Sequence, residues 1–336
     1  MATTRLSDVV VPEIVVPEIA LQIKTKSAFV GTEAVFNDPL LNNFASANFG
    51  SLIDTPKYNH ITEDESNVSS DDPATSATPE KASQAKIYSI KHVRNVGYSS
   101  ADLVYALSQP DPSMVITDQL GTYWAKQIDK IAINSLHGVY VDNVAENGGD
   151  MVYDISDDVA GIPTDAEIVS GEALIRAAAT NGDNMDAFVM IVMHSTVFAN
   201  LQVRNLVITI PDSNGVLVST FMGKKVVVSD AMPVLTGTNR NSYVTALVGP
   251  GALRYGNGAP KTPLEVYRDA AAGNGEGVET LWSRNHFVMS PTNYSFDASY
   301  AFAGVSPTWG ELRSEDAWVR TIERKQIAIA YLITNG

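Results

Sequence analysis

The chain has 336 residues, 45% apolar and 18% charged, with 38 acidic against 23 basic side chains and a net charge of −15. This composition fits a globular protein with a real core, and no Lys/Arg-rich run offsets the acidity that repels nucleic acid. Cysteine is absent, which removes disulfides and thiolate chemistry, and no apolar run reaches the roughly 18 residues of a membrane helix.

The N-terminal stretch MATTRLSDVVVPEIVVPEIAL carries acids and prolines within its apolar part and makes a poor secretion signal. Residues 1–25 contain a tandem repeat, Val10-Val11-Pro12-Glu13-Ile14 and Val15-Val16-Pro17-Glu18-Ile19. Proline every five residues predicts an extended segment. Its apolar side chains have no local core, so they are expected to lie elsewhere on the protein or on a neighbouring subunit. Residues 26–52 read as short helical turns with several Phe. Ile53 to Tyr58 and Ile87 to Arg94 read as paired strands. Between them, His60 to Lys81 is almost all Ser, Thr, Asp, Glu, Pro and Ala, with acids clustered at Glu63-Asp64-Glu65 and Asp71-Asp72. Such a stretch cannot bury a core. The expectation is a long two-stranded arm with a flexible polar tip.

Ser99 or Ser100 is expected to cap a short helix, ADLVYALSQ, ended by Pro110. Next comes a long helix over Asp111 to Gly138. Asp111 is its cap and Pro112 its first helical position. Ile116, Leu120, Trp124, Ile128, Ile131, Leu136 and Val139 form one apolar stripe. Gly121 weakens this helix by about 1 kcal/mol without breaking it, and Gly138 reads as its stop.

Residues 141–163 read as a solvated acidic loop, with Asp150, Asp154, Asp157 and Asp158 but no calcium-loop spacing. Thr164 is expected to cap a helix to Ala179, ended by Asn181-Gly182. Phe188 to Met193 is apolar on both faces, which predicts a central strand. Ser195 is read as the cap of a short helix, STVFANLQ. Val216 to Met222 and Lys225 to Val228 predict two strands about Gly223. Further strands are expected at Tyr243 to Val248 and Trp282 to Ser290, with Gly249-Pro250-Gly251 a turn and Gly273 to Gly277 a flexible loop. Ile327, Ile329, Tyr331 and Ile333 alternate with Ala328, Ala330 and Leu332, so the last strand is buried on both faces. Helices and strands mix without a βαβ rhythm, which argues α+β.

No chemistry emerges. His60, His92, His137, His194 and His286 are scattered, with no metal spacing. There is no nucleophile elbow, phosphate loop or dinucleotide fingerprint. His194 reads as a capping or core histidine. No catalytic, cofactor-binding or metal residue is assigned.

Four passages nevertheless form a pattern: Met193-His194-Ser195 before a short helix; Met222-Gly223-Lys224-Lys225-Val226-Val227-Val228-Ser229-Asp230-Ala231-Met232-Pro233; Tyr243 to Ala252; and Ser306-Pro307-Thr308-Trp309-Gly310-Glu311-Leu312 before Trp318 and the last strand. In this order, with the arm and long helix, the chain resembles the major capsid proteins of tailed bacteriophages with the Hong Kong 97 fold. The resemblance implies an N-terminal arm (1–52), an E-loop (53–96), a P-domain with a spine helix (97–144), an A-domain (145–284) and a P-domain return with the C-terminal strand (285–336). It implies a virion coat, assembled in the host cytoplasm into pentamers and hexamers of an icosahedral head around double-stranded DNA. No sequence-specific DNA binding and no membrane are implied; scaffold, portal and decoration proteins are candidate partners. Covalently cross-linked members join an E-loop Lys to a neighbour's Asn; Lys81, Lys86 and Lys91 lie in the right region, but no matching Asn is assignable. An encapsulin-like compartment shell shares the fold and stays an alternative, as does an α+β hydrolase whose acid pair hides among the carboxylates.

Overall fold

The structure, a computed structural model, describes residues 12–46, 50–58, 65–79, 81, 84–102, 112–211 and 217–336. At its centre the helix Pro112–Glu146, 35 residues long, makes a rod of about 52 Å at 1.5 Å per residue. Leu120, Trp124, Ile128, Ile131, Leu136 and Val139 of the expected stripe are at most 1% exposed. The cap Asp111 and the side chain of Ile116 lie outside the described residues. Burial goes beyond the stripe to Ala125, Ala132, Ile133, Asn134, Ser135 and Asn143, so the middle turns are enclosed on nearly every side.

Gly138 does not end this helix. The stop is Asn147-Gly148-Gly149, where both glycines take left-handed backbone (φ 65° and 71°) and the Gly149 N–H bonds the Asn143 carbonyl at 2.9 Å. Gly138 instead admits a neighbour: a Cβ there would sit 2.1 Å from the Leu312 carbonyl oxygen and 2.3 Å from Trp318 Nε1. Gly121 does the same for the N-terminal helix, since a Cβ would fall 2.6 Å from Gln22 Cβ.

That N-terminal helix, Pro12–Lys26, corrects the expectation of an extended segment. Pro12 lies in the first turn, where a missing N–H is harmless, and Pro17 forfeits one bond to the Glu13 carbonyl. Tertiary packing outweighs the loss. Val16 and Ile19 pack toward Leu120 of the spine helix and Leu264 and Leu281 of a sheet, and Ile23, 4% exposed, enters the main core that holds Trp124 and Ile128. Residues 1–11 lie outside the described residues.

Two large sheets flank the spine helix. One is six-stranded, in the order Val35–Asn37, Leu253–Gly258, Val278–Pro291, Gln84–Ala101, Leu52–Tyr58, with Leu264–Asp269 also paired to Val278–Pro291. Its long strand overruns the expected one: Ser99 and Ser100 lie in it, paired with Thr280 and Glu279. Residues 103–109 of the helix expected there lie outside the described residues. The other sheet has Val152–Asp154, Ile329–Thr334, Asn241–Val248, Met190–Met193, Lys224–Val228, Leu217–Phe221 and Ile208–Pro211 in that order, with Val234–Thr236 added on Asn241–Val248.

Alternation in this second sheet assigns its two faces as the sequence predicts. Met190, Val192, Val244, Ala246, Ile329, Tyr331 and Ile333 join the spine-helix core. Ile191, Met193, Leu247, Ala330 and Leu332 face the helices Gly171–Ala179 and Ser195–Val203 in a separate core. The first of those helices starts later than expected: Ser170 caps it, accepting from Ala173 N–H at 3.2 Å, while Thr164 N–H bonds Glu167 Oε2 at 3.0 Å. A hairpin turn joins Leu217–Phe221 to Lys224–Val228 through left-handed Met222 (φ 51°) and Gly223 (φ 76°).

Two measurements test this packing. On propensity alone Gly138→Ala gains about 1 kcal/mol. Overpacking against Leu312 and Trp318 is expected to reverse the sign and cost about 1–3 kcal/mol, read as a lower urea midpoint; a higher midpoint would show that the contact is loose. The second test is acid. Burial, reinforced by the Arg94 charge, pushes the His92 imidazole from 6.5 down to about 3, and burial next to Arg313 takes His137 to about 4. These depressed values add stability that is fully present above pH 6.5 and is lost as pH falls through 4 and 3. Asp142 acts oppositely: burial and the Glu146 charge raise its carboxyl from 3.8 to about 6, so its contribution is lost as pH rises through 6. The melting temperature is expected to fall between pH 7 and 4. His92→Phe should flatten the fall and Asp142→Asn should steepen it; slopes unchanged in both variants would refute the assignment.

Candidate assembly site

The arm begins as a tight antiparallel pair, Leu52↔Ile90 through Tyr58↔Gln84. Its inner end packs Ile53 on Leu41, Phe44 and Val288. Arg254, on the strand Leu253–Gly258, reaches both arm strands: it donates to Thr55 Oγ1 at 3.2 Å and to Ser89 Oγ at 2.9 Å, with Asp38 Oδ2 at 3.8 Å. Burial lowers the guanidinium pKa and the Asp38 carboxylate counters it. Lys57 on the outer strand donates to the Asn293 side-chain oxygen, and burial followed by the Arg254 charge lowers its pKa. The Tyr88 N–H bonds Ser295 Oγ at 2.9 Å. The arm root is thus fastened to the body from both strands. Residues 65–79 form no helix or strand, and all of them are exposed.

The three lysines singled out in this region separate. Lys91 is 5% exposed and lies over the Phe44 ring, 5.9 Å from its centroid, whereas Lys81 and Lys86 are exposed. The N-terminal helix is held at its end by Asp129 of the spine helix, which accepts from Ser27 Oγ and from Ala28 N–H at 3.0 Å. A second exposed surface is the edge strand Ile208–Pro211, solvent-facing along its length, beside Val203 at 80% exposure.

His194, Ser195 and Asp230 do come together, but not as a proton relay. His194, rather than Ser195, caps the helix Ser195–Val203, its Nδ1 accepting from Thr196 N–H at 3.2 Å. Its Nε2 stands 3.8 Å from Asp230 Oδ1, and the Ser195 hydroxyl bonds the Asp230 carboxylate, whose pKa it lowers. No imidazole nitrogen faces the hydroxyl as a base would require. The acidic loop is not simply solvated either. Asp158 accepts from the Thr238, Asn239 and Arg240 N–H groups at 2.7–2.9 Å, which depresses its pKa, and Asp150 pairs with Arg320 at 2.7 Å. The segment also includes helical residues up to Glu146 and the strand Val152–Asp154. Among the described residues no group of three or more His, Asp or Glu could hold a metal ion.

Arg254 carries no sequence signal: it is one arginine in a strand, and only the meeting of three distant segments gives it a role. The glycines at 121 and 138 did carry one, since glycine inside a helix otherwise only weakens it.

A family model described as Gp13-like, major capsid protein 13-like, matches residues 45–328. The major capsid protein of Bacillus phage SPP1 is 32% identical over 332 residues, covering 98% of this chain and 97% of that one. In fold, the chain is similar to the capsid of Ralstonia phage GP4 (TM-score 0.54, 10% identity, 93% of this chain and 92% of that chain). It is equally similar to the capsid of cyanophage Pam1 (TM-score 0.54, 8% identity, 94% and 92%).

Replacing Arg254 by Met removes the bonds to both arm strands while keeping bulk. Hydrogen bonds from a charged group contribute about 1.5–3 kcal/mol, so amide exchange at 52–58 and 84–90 should quicken roughly 10–100-fold. Unchanged exchange there would show that Arg254 does not hold the arm.

Proposed function

The chain belongs to the Gp13-like family of major capsid proteins, and on that premise we propose that it closes the icosahedral head of a tailed phage as pentamers and hexamers. It is a structural subunit of the virion capsid, and the family is not one of enzymes. The observation that carries the reading is the near full-length relationship to a coat protein, joined to an arm whose root is fastened and whose tip leaves the body. Extended arms of this kind gain burial only on a neighbour. Relatives of this kind do not favour the encapsulin-like shell or the hydrolase.

In this proposal the N-arm is 1–52, the E-loop 53–96, the P-domain 97–144 with 285–336, and the A-domain 145–284. The chain crosses between the two sheets more than once: strands from Leu253 to Pro291 join the arm sheet, and Ile329–Thr334 joins the other. The acidic subunit encloses double-stranded DNA without base-specific contacts, because net negative charge disfavours adsorption of the genome to its wall. Scaffold, portal and decoration proteins are the further partners that such a head implies.

Electron microscopy of the purified protein tests this: closed shells are expected, and only small particles would overturn it. Exchanging residues 66–79 for a short Gly-Ser linker should leave the circular dichroism spectrum unchanged and yield capsomers or free subunits. Shells of normal size from that variant would remove the arm's role in assembly.

A further inference from the structure

A recess of about 220 Å³ lies beneath the N-terminal helix, where the strand Leu253–Gly258 runs into the loop to Leu264. Val16, Ile19, Ala20 and Ile23, spaced as one helical face, form its apolar side, and Trp124 of the spine helix adds to the wall. A dry apolar cavity of about 150 Å³ accepts benzene, so there is room here for one ring and a substituent.

The sheet side is polar at one place. Along Val278–Pro291 the side chains of Leu281, Ser283, Asn285 and Phe287 alternate onto the face that meets the spine helix. Ser283 Oγ accepts from Trp124 Nε1 at 2.9 Å, which satisfies the indole. Asn285 lines the recess at 8% exposure, and among the described residues its carboxamide has no hydrogen-bond partner. A buried amide left so is costly. Asn257 also lines the recess. It stands opposite Phe287, hence on the same face, on a diagonal of about 7–8 Å from Asn285. Its carboxamide is likewise without a partner among the described residues. A charged guest does not suit this place, because a buried ion needs a counter-charge. Arg284, the charged residue of the lining, is already taken by Glu265 Oε2 at 2.7 Å and the Thr262 carbonyl at 3.1 Å. Arg94, across the ladder from Asn285, lies outside the lining and donates to the Pro307 carbonyl. Water can meet the amides but gains nothing from the helix face opposite, which a hydrocarbon body would cover.

We propose that the recess is a binding site for a small neutral alcohol, its hydroxyl held by Asn285 and Asn257 and its apolar body, of one ring or the equivalent, laid against the N-terminal helix and Trp124. A hydroxyl both donates and accepts, which matches a carboxamide's own two functions. The guest touches helix and sheet together, so its binding fastens the N-terminal helix to the body. The inference concerns the single subunit and stands apart from the capsid reading.

The test is calorimetric titration of the full chain with benzyl alcohol, against toluene, which lacks the hydroxyl, and benzoate, which is charged. Benzyl alcohol should saturate one site per chain with a Kd below about 1 mM, and toluene and benzoate should bind at least about tenfold more weakly. Asn285→Leu keeps the bulk and removes the amide. It should weaken benzyl alcohol at least about tenfold while toluene binds as well as before or better. Ala20→Phe, at an exposed helix position, fills the recess and should abolish binding of both with an unchanged circular dichroism spectrum. Amide exchange over residues 16–26 should slow at least about threefold at saturation. Four results would each overturn the site: no saturation below about 10 mM, toluene or benzoate binding as tightly as benzyl alcohol, a folded Asn285→Leu chain that binds like the parent, or unchanged exchange over 16–26. Should Asn285→Leu not fold, the comparison of guests, Ala20→Phe and the exchange decide. Whether the chain closes shells is read separately, so either result leaves the other standing.

Discussion

Everything in this fold depends on enclosing one long helix between two sheets. An exposed helix tolerates most residues on its outer face. This one is packed on nearly all sides through its middle, so each position is set by what lies against it. Large apolar side chains fill most of the contact. Where another element must come closer than a side chain allows, the helix has glycine, at 121 for the N-terminal helix and at 138 for the segment around Leu312 and Trp318. Polar contacts tie the helix to its surroundings: Trp124 Nε1 donates to Ser283 Oγ at 2.9 Å, Tyr331 OH to the Leu136 carbonyl at 2.7 Å, and Arg313 Nε to the buried Asn134 Oδ1 at 2.6 Å.

Rigidity at the centre makes a projecting arm useful. A hairpin that pivoted freely would spread its tip over many positions, at an entropic cost on every contact it made. Arg254, Lys57 and Ser295 restrict the root, and the packing of half-buried Ile53 with the burial of Thr55 limits water there. The contrast between a fastened root and an exposed tip suits a coat subunit, which is fixed in shape where it carries load and open where it meets another molecule.

Much of this was legible from the residues alone. The stripe from Leu120 to Val139, the two-faced strands at 190–193 and 329–334, the arm pairing and the polar tip followed from periodicity and composition, because burial imposes period on sequence. What escaped shares a cause. The helix at Pro12–Lys26 forms despite Pro17 because Ile19 and Ile23 find a partner more than ninety residues away. Gly138 looked like a stop because helix propensity is local, whereas the Trp318 indole beside it is not. His194 displaced Ser195 as a cap by one residue, within the fraying of any helix start. At the assembly site the tip was visible as composition, but Arg254 was not, since its role is defined by distances between segments remote in sequence.

The place of the strand Ile329–Thr334 bears on the order of synthesis. It lies inside its sheet, between Asn241–Val248 and Val152–Asp154, and pairs with both. Nascent chains grow from the N-terminus at about 5–20 residues per second, so the arm and spine helix leave the ribosome many seconds before this strand. Until residue 334 emerges, Asn241–Val248 and Val152–Asp154 have an unfilled gap between them, and the apolar face that Tyr331 and Ile333 complete stays open. The core is therefore completed only when residues 329–334 join the sheet, long after the arm and the spine helix have been made.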